Sequence, residues 1–158
     1  MYSVTQSNYQ LNNVIFDSNT SGDYGGGAFT DSSTTTLNNV TFSANTAKNR
    51  GGGLYNSGSP STLTNVSFTD NSSYDGGGLF SSASNSTLMN VTFARNSASN
   101  RGGGLYNYLS NLSLSNLTIA GNSAKTYGGG YFNADGGFTL INGTIKDNIA
   151  GEYGGGIA

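Results

Sequence analysis

The stretch from Leu54 to Gly78 reads LYNSGSPSTLTNVSFTDNSSYDGGG, and it decides the fold. Its apolar residues come in short bursts. Leu54 and Tyr55 follow one glycine triplet, Leu63 stands in a run of Ser and Thr, and Val66 and Phe68 alternate with polar residues before a second triplet at Gly76. Three consecutive glycines cost a helix about 1 kcal/mol each relative to Ala, and no apolar stripe at i, i+3, i+4 crosses the interval. Short alternation broken by Gly, Asn and Ser is the pattern of short strands and turns.

The same pattern recurs along the whole chain. Triplets begin at Gly25, Gly51, Gly76, Gly102, Gly128 and Gly154, at intervals of 26, 25, 26, 26 and 26 residues. Cutting after each triplet divides a single domain, 1–158, into repeats 1–27, 28–53, 54–78, 79–104, 105–130 and 131–156. One column holds Leu11, Leu37, Leu63, Leu88, Leu114 and Leu140, and another Phe16, Phe42, Phe68, Phe93, Ile119 and Ile145. Two columns are Asn throughout: Asn13, Asn39, Asn65, Asn90, Asn116, Asn142, and Asn19, Asn45, Asn71, Asn96, Asn122, Asn148. A period of this length with fixed columns marks a solenoid.

The stretch Leu37-x-x-Val40-x-Phe42-x-x-Asn45 also fits a leucine-rich template, but that fold needs a helix or another apolar wall in its second half. Glycine triplets and polar residues occupy that half here. The expectation is therefore an all-β, right-handed parallel β-helix of six turns. Strands are expected around GGG-Leu-Tyr, Thr-Leu-x-Asn and Val-Thr-Phe, with Ala47, Ala98, Ala124 and Ala150 in a tight corner. Parallel strands lie about 4.8 Å apart, so each column stacks on itself. Both Asn columns are read as structural ladders, in which amides passed from turn to turn satisfy groups that burial would leave costly.

Composition limits the chemistry. Of 158 residues, 25 are Gly, 22 Asn, 23 Ser and 17 Thr, with no Cys, His or Trp and a net charge of −2. Disulfides, thiolate or imidazole metal sites and His-dependent triads are excluded. Six Lys and Arg residues make no basic patch of the kind nucleic acid needs, and no apolar run reaches the roughly 20 residues of a membrane span.

Phe42-Ser-Ala-Asn45 followed by Gly51-Gly52-Gly53-Leu54 resembles the polymorphic outer-membrane protein repeat of bacterial surface autotransporters. Those repeats pair Phe-x-x-Asn with Gly-Gly-Ala-aliphatic and belong to the wider pectate-lyase-like right-handed β-helix group. This chain departs from them in a third Gly in place of Ala, and in Ile119 and Ile145 in place of Phe. The resemblance implies a secreted or surface-displayed β-helix used in adhesion or host contact, and carries over no catalytic residue.

The eight acids, Asp17, Asp23, Asp31, Asp70, Asp75, Asp135, Asp147 and Glu152, offer no pair at catalytic spacing beside a fixed base. No catalytic, cofactor or metal site is expected, and no cofactor. The residues before each triplet, Tyr24, Arg50, Asp75, Arg101, Tyr127 and Tyr153, read as a surface Arg-Asp-Arg ladder between tyrosines. Of nine Asn-x-Ser/Thr sequons, Asn85 and Asn111 lie off the ladders and are the candidate glycosylation sites.

The functional expectation is a non-catalytic extracellular or cell-surface segment: a stalk, adhesin passenger or filament subunit. Its expected partners are copies of itself stacked head to tail, flanking repeats of a longer chain, or a host-surface or glycan ligand. The alternatives are a carbohydrate-active β-helix enzyme whose catalytic turns lie elsewhere, or an ice- or carbohydrate-binding module, ice binding being suggested by the outward column Thr41, Ser67, Thr92, Thr118, Thr144. The uncapped repeats at both ends are expected either to continue into a longer solenoid or to stack on one another.

Overall fold

A computed structural model describes residues 2–4 and 8–158. Every strand pairing in it is parallel, each strand lying on its equivalent one repeat away. Leu37, Leu63, Leu88, Leu114 and Leu140 are consecutive partners in one sheet, as are Phe42, Phe68, Phe93, Ile119 and Ile145. The chain is a parallel β-solenoid. Each side of it carries six rungs joined by five steps of about 26 residues, so it winds through about five turns rather than the expected six; the six repeats count rungs.

Three sheets form the wall. The first follows each glycine triplet, as in Leu54–Ser57, Leu79–Ser82 and Leu105–Tyr108. The second contains both segments expected as separate strands. Ser61–Thr64 and Ser67–Thr69 flank Asn65, and in later rungs the two fuse into Leu112–Ala120 and Phe138–Lys146. The third sheet corrects the expectation of a corner. Ala47, Ala98, Ala124 and Ala150 lie in strands Thr46–Ala47, Ser97–Arg101, Ser123–Ala124 and Ile149–Ala150. Apart from Asp75, its inward residues are Ala or Ser, too small to give the apolar alternation that identifies a strand in sequence.

The interior is a stack of columns. Phe42, Phe68 and Phe93 are 0% exposed, and Phe16, Phe42, Phe68 and Phe93 lie face to face with centroids 4.8–4.9 Å apart and planes within 6°. Leu54, Leu79 and Leu105 close the core from the first sheet, and Val40, Val66 and Val91 from the second. Each such side chain contributes roughly 1.5–3 kcal/mol on burial.

Two glycine positions explain the triplet. The first glycine turns the chain at positive φ, +66° at Gly51 and Gly76. At the third, a Cβ on Gly78 would lie 2.6 Å from the Gly104 carbonyl oxygen and 3.0 Å from Phe93 Cδ1. The backbone of the next rung, with the phenylalanine stack beside it, therefore leaves no room for a Cβ at the third glycine.

Candidate interaction surface

The column Asn19 to Asn148 is a ladder buried at its four middle rungs, Asn45, Asn71, Asn96 and Asn122. Asn45 Nδ2 donates to Asn71 Oδ1 at 3.0 Å and to the Phe16 carbonyl at 2.8 Å. Its own Oδ1 accepts from the backbone N–H and Nδ2 of Asn19. The pattern repeats from Asn71 to Asn96, Asn96 to Asn122 and Asn122 to Asn148, each Nδ2–Oδ1 bond 2.9 Å long. Asn45, Asn96 and Asn122 are 0% exposed, and both ends of each amide are satisfied.

The other Asn column differs from the expectation of a burial-satisfying ladder. It lies on the surface, because its residues form the bend inside the second sheet, with φ between +52° and +57° from Asn13 to Asn142. Amides do bond along it: Asn39 to Asn13, Asn65 to Asn39, Asn90 to Asn65 and Asn116 to Asn90, at 3.0–3.2 Å. Asn142 holds the same backbone geometry at the last rung. Donation here runs toward the N-terminal rung, opposite to the buried ladder.

Asn85 and Asn111 form a short series of another kind. Asn85 Oδ1 accepts from the Asn111 N–H at 2.8 Å, and Asn111 Oδ1 from the Gly137 N–H at 2.9 Å. Both are exposed, and among the described residues no hydrogen bond uses either Nδ2, the atom a glycan would take.

A further polar column, not singled out in the sequence, lines the interior where the first sheet ends: Thr30, Asn56, Ser81, Asn107 and Asn133. Thr30 Oγ1 donates to Asn56 Oδ1 at 2.9 Å and Asn107 Nδ2 to Asn133 Oδ1 at 2.7 Å. Ser81 interrupts it, and Asn107 Oδ1 is buried without a partner. The signal was a once-per-repeat polar residue two places after the first-sheet Leu, obscured because it varies among Thr, Asn and Ser.

The residues before the triplets do stack rung on rung, but the Arg-Asp-Arg ion-pair ladder does not form. The Arg50 guanidinium lies 4.8 Å above the Phe80 ring, and that of Arg101 lies 5.5 Å from both Tyr127 and Phe132. Asp75 is drawn inward to 7% exposure, where Asn100 Nδ2 donates to it at 2.9 Å. The cause is the repeat 54–78, one residue shorter than its neighbours, which shifts the register between Ser73 and Asp75. Burial pushes the Asp75 carboxyl above the usual carboxylate range, against the hydrogen bond from Asn100 and the nearby Arg50 and Arg101 charges.

Other acids are tied into local structure. Asp17 accepts from Ser43 and Ser18, which hold its carboxyl below the usual range. Asp23 accepts from Asn49 at 2.6 Å. Asp70 takes a two-pronged bond from Arg95 at 2.8 and 2.9 Å, the ion pair found among the described residues.

The outward side of the third sheet is concave. A shallow groove of about 380 Å³ crosses three rungs over Thr46, Lys48, Ser72, Tyr74, Ser97 and Ser99.

Comparison with known proteins agrees with this geometry. The Chlamydia polymorphic membrane protein repeat matches residues 39–57, 65–82 and 90–108. Each match starts at an outer-ladder Asn (Asn39, Asn65 or Asn90), passes through a buried-ladder Asn and a glycine triplet, and ends in the first sheet. No curated protein and no solved structure matches the chain. Three successive rungs of this solenoid are therefore similar to the Chlamydia polymorphic membrane protein repeat.

Proposed function

We propose that this chain is a non-catalytic, surface-displayed segment whose flanks make contacts outside the cell, as an adhesive or structural passenger. The observation that carries this reading is a contrast between inside and outside. The buried Asn ladder, the glycine triplets and the apolar columns are nearly identical on every rung. Outward positions change from rung to rung, as in the exposed series Lys48, Tyr74, Ser99 and Lys125 of the third sheet. A uniform skeleton with a varied exterior suits display of a contact surface. The polymorphic membrane protein repeat supports a place at the cell envelope.

The absence of catalysis is part of the same proposal. Asp17, Asp23, Asp70 and Asp75 are each engaged by neighbouring side chains in local structure, which disfavours a pair of free carboxylates set to act on one bond.

The test is to express the chain within its native protein and treat intact cells with protease. Cleavage of the segment on intact cells, together with loss of cell adherence, is the expected result. Protection until lysis, or cleavage without any change in adherence, would refute the adhesive reading.

A further inference from the structure

The geometry points to the outward face of the third sheet as a binding site for a sulfated linear glycan, a ligand assignment that rests on the surface-contact reading above. Four of the chain's six Lys and Arg residues gather on this side: Lys48, Arg50, Arg101 and Lys125. In Ser97–Arg101 the period-two alternation turns Ser97, Ser99 and Arg101 to one face. The equivalent positions are Thr46, Lys48 and Arg50 two repeats back, and Ser123, Lys125 and Tyr127 one repeat on. The acid between them, Asp75, is turned into the wall, while Asp23 and Glu152 stand at the outer rungs. The middle of this face is therefore cationic although the whole chain carries −2.

The two guanidiniums are held in place by aromatic rings, with the buried Asp75 at the equivalent position on the rung between them. Both lie over aromatic rings, and neither forms an ion pair among the described residues. Arg101 Nε is also buried without a hydrogen-bond partner. A cation fixed by a ring has already lost the side-chain freedom that binding would otherwise cost. Arg50 and Arg101 are two rungs apart, roughly 10 Å at about 4.8 Å per rung, a spacing that suits charges recurring along a chain. Lys48 and Arg50, on neighbouring outward positions, can share the three oxygens of one sulfate, where a planar carboxylate offers two.

The groove that runs past Lys48 suits sugar. It is lined by the hydroxyls of Thr46, Ser72, Ser97 and Ser99, and by Tyr74, which is 51% exposed. An extended peptide has no comparable footing, because the middle strands of this sheet are paired on both sides and leave no edge to extend.

The experiment measures binding of the full chain to heparin, to polygalacturonate and to neutral dextran at several salt concentrations. Heparin binding that weakens with salt is expected, with dextran inert. The double variant Lys48→Gln/Lys125→Gln should weaken heparin binding about tenfold, whereas Lys146→Gln, the same kind of charge loss off this face, should change it less than about twofold. Both lysines are exposed, and an unchanged melting temperature shows that the fold survives. Equal loss from Lys146→Gln, equal binding of polygalacturonate, or no heparin binding would overturn the assignment. Cell adherence that persists after enzymatic removal of sulfated glycans would also overturn it while leaving the adhesive reading standing.

Discussion

The two Asn ladders are the same residue stacked at the same period, yet they are held for different reasons. In the buried ladder each amide makes bonds at both ends inside the wall, and Asn45, Asn96 and Asn122 have no exposure. In the surface ladder the amides also bond, but water can replace those partners. What the position demands there is a positive φ, which Asn tolerates better than other side chains. Repetition of a residue shows that a column matters; burial and backbone conformation show why.

Asn96→Ala should give the largest effect and test the first half of that contrast. It removes Oδ1, the acceptor for the backbone N–H and Nδ2 of Asn71, and Nδ2, a donor to the Phe68 carbonyl and Asn122 Oδ1. With each stranded buried group costing about 1–3 kcal/mol, a loss of roughly 3–5 kcal/mol in denaturant unfolding is expected. A loss below about 1 kcal/mol would mean that water enters the ladder.

At Asn90 the effect should be smaller and of another origin. Asn90→Ala places an ordinary side chain at φ +56° and should cost roughly 1–2 kcal/mol, whereas Asn90→Gly, which restores the backbone freedom, should fall within about 0.5 kcal/mol of wild type. At Asn96 the glycine variant should be at least as damaging as alanine. If Asn90→Gly proves as harmful as Asn90→Ala, the surface amides carry the stability and the distinction fails.

The interrupted interior column sharpens the comparison in the stabilising direction. Ser81→Asn would place an amide donor one rung below Asn107 Oδ1, which now has no partner. Completing that link should add about 1 kcal/mol, read as a higher melting temperature. A lower melting temperature would indicate that the Ser81–Ser84 hydrogen bond at 2.9 Å, or the space around it, matters more.

The repeats, both Asn columns and the apolar core were legible because a fixed period aligns residues of one type, and long apolar side chains announce an inward face. The Leu column and the Phe/Ile column occupy the interior as read. The third sheet was not legible, since Ala47, Ala98 and Ser73 carry little apolar signal whether they line a strand or a corner. Nor was the exposure of the Asn13–Asn142 column, because Asn suits both a buried amide ladder and a left-handed bend. The Arg-Asp-Arg expectation failed on a single deletion. A column read by counting places Asp75 at the surface, whereas one missing residue in 54–78 swings its side chain into the wall.

Asp75 and Asp23 repeat the buried-versus-exposed contrast in charged form and carry the smallest prediction. Each accepts an amide hydrogen from an Asn one rung on, Asp75 from Asn100 and Asp23 from Asn49. Only Asp75 is buried, and its carboxyl is shifted upward by that burial. A folded-state pKa above the unfolded one, about 3.9, means that the native state favours the protonated form. Stability associated with this group is then greatest below the unfolded pKa, declines as pH rises through the folded value, and stays flat above it. Asp75→Asn keeps an acceptor for Asn100 and removes the buried charge, so the variant should melt above wild type at neutral pH. The gap should close as the pH falls toward 3, where wild-type Asp75 is also neutral. Asp23→Asn, at an exposed site, should stay within about 0.5 kcal/mol of wild type. A gap between Asp75→Asn and wild type that is constant from neutral to acid pH would show that the substitution acts through packing, and that the Arg50 and Arg101 charges already offset the burial of the carboxylate.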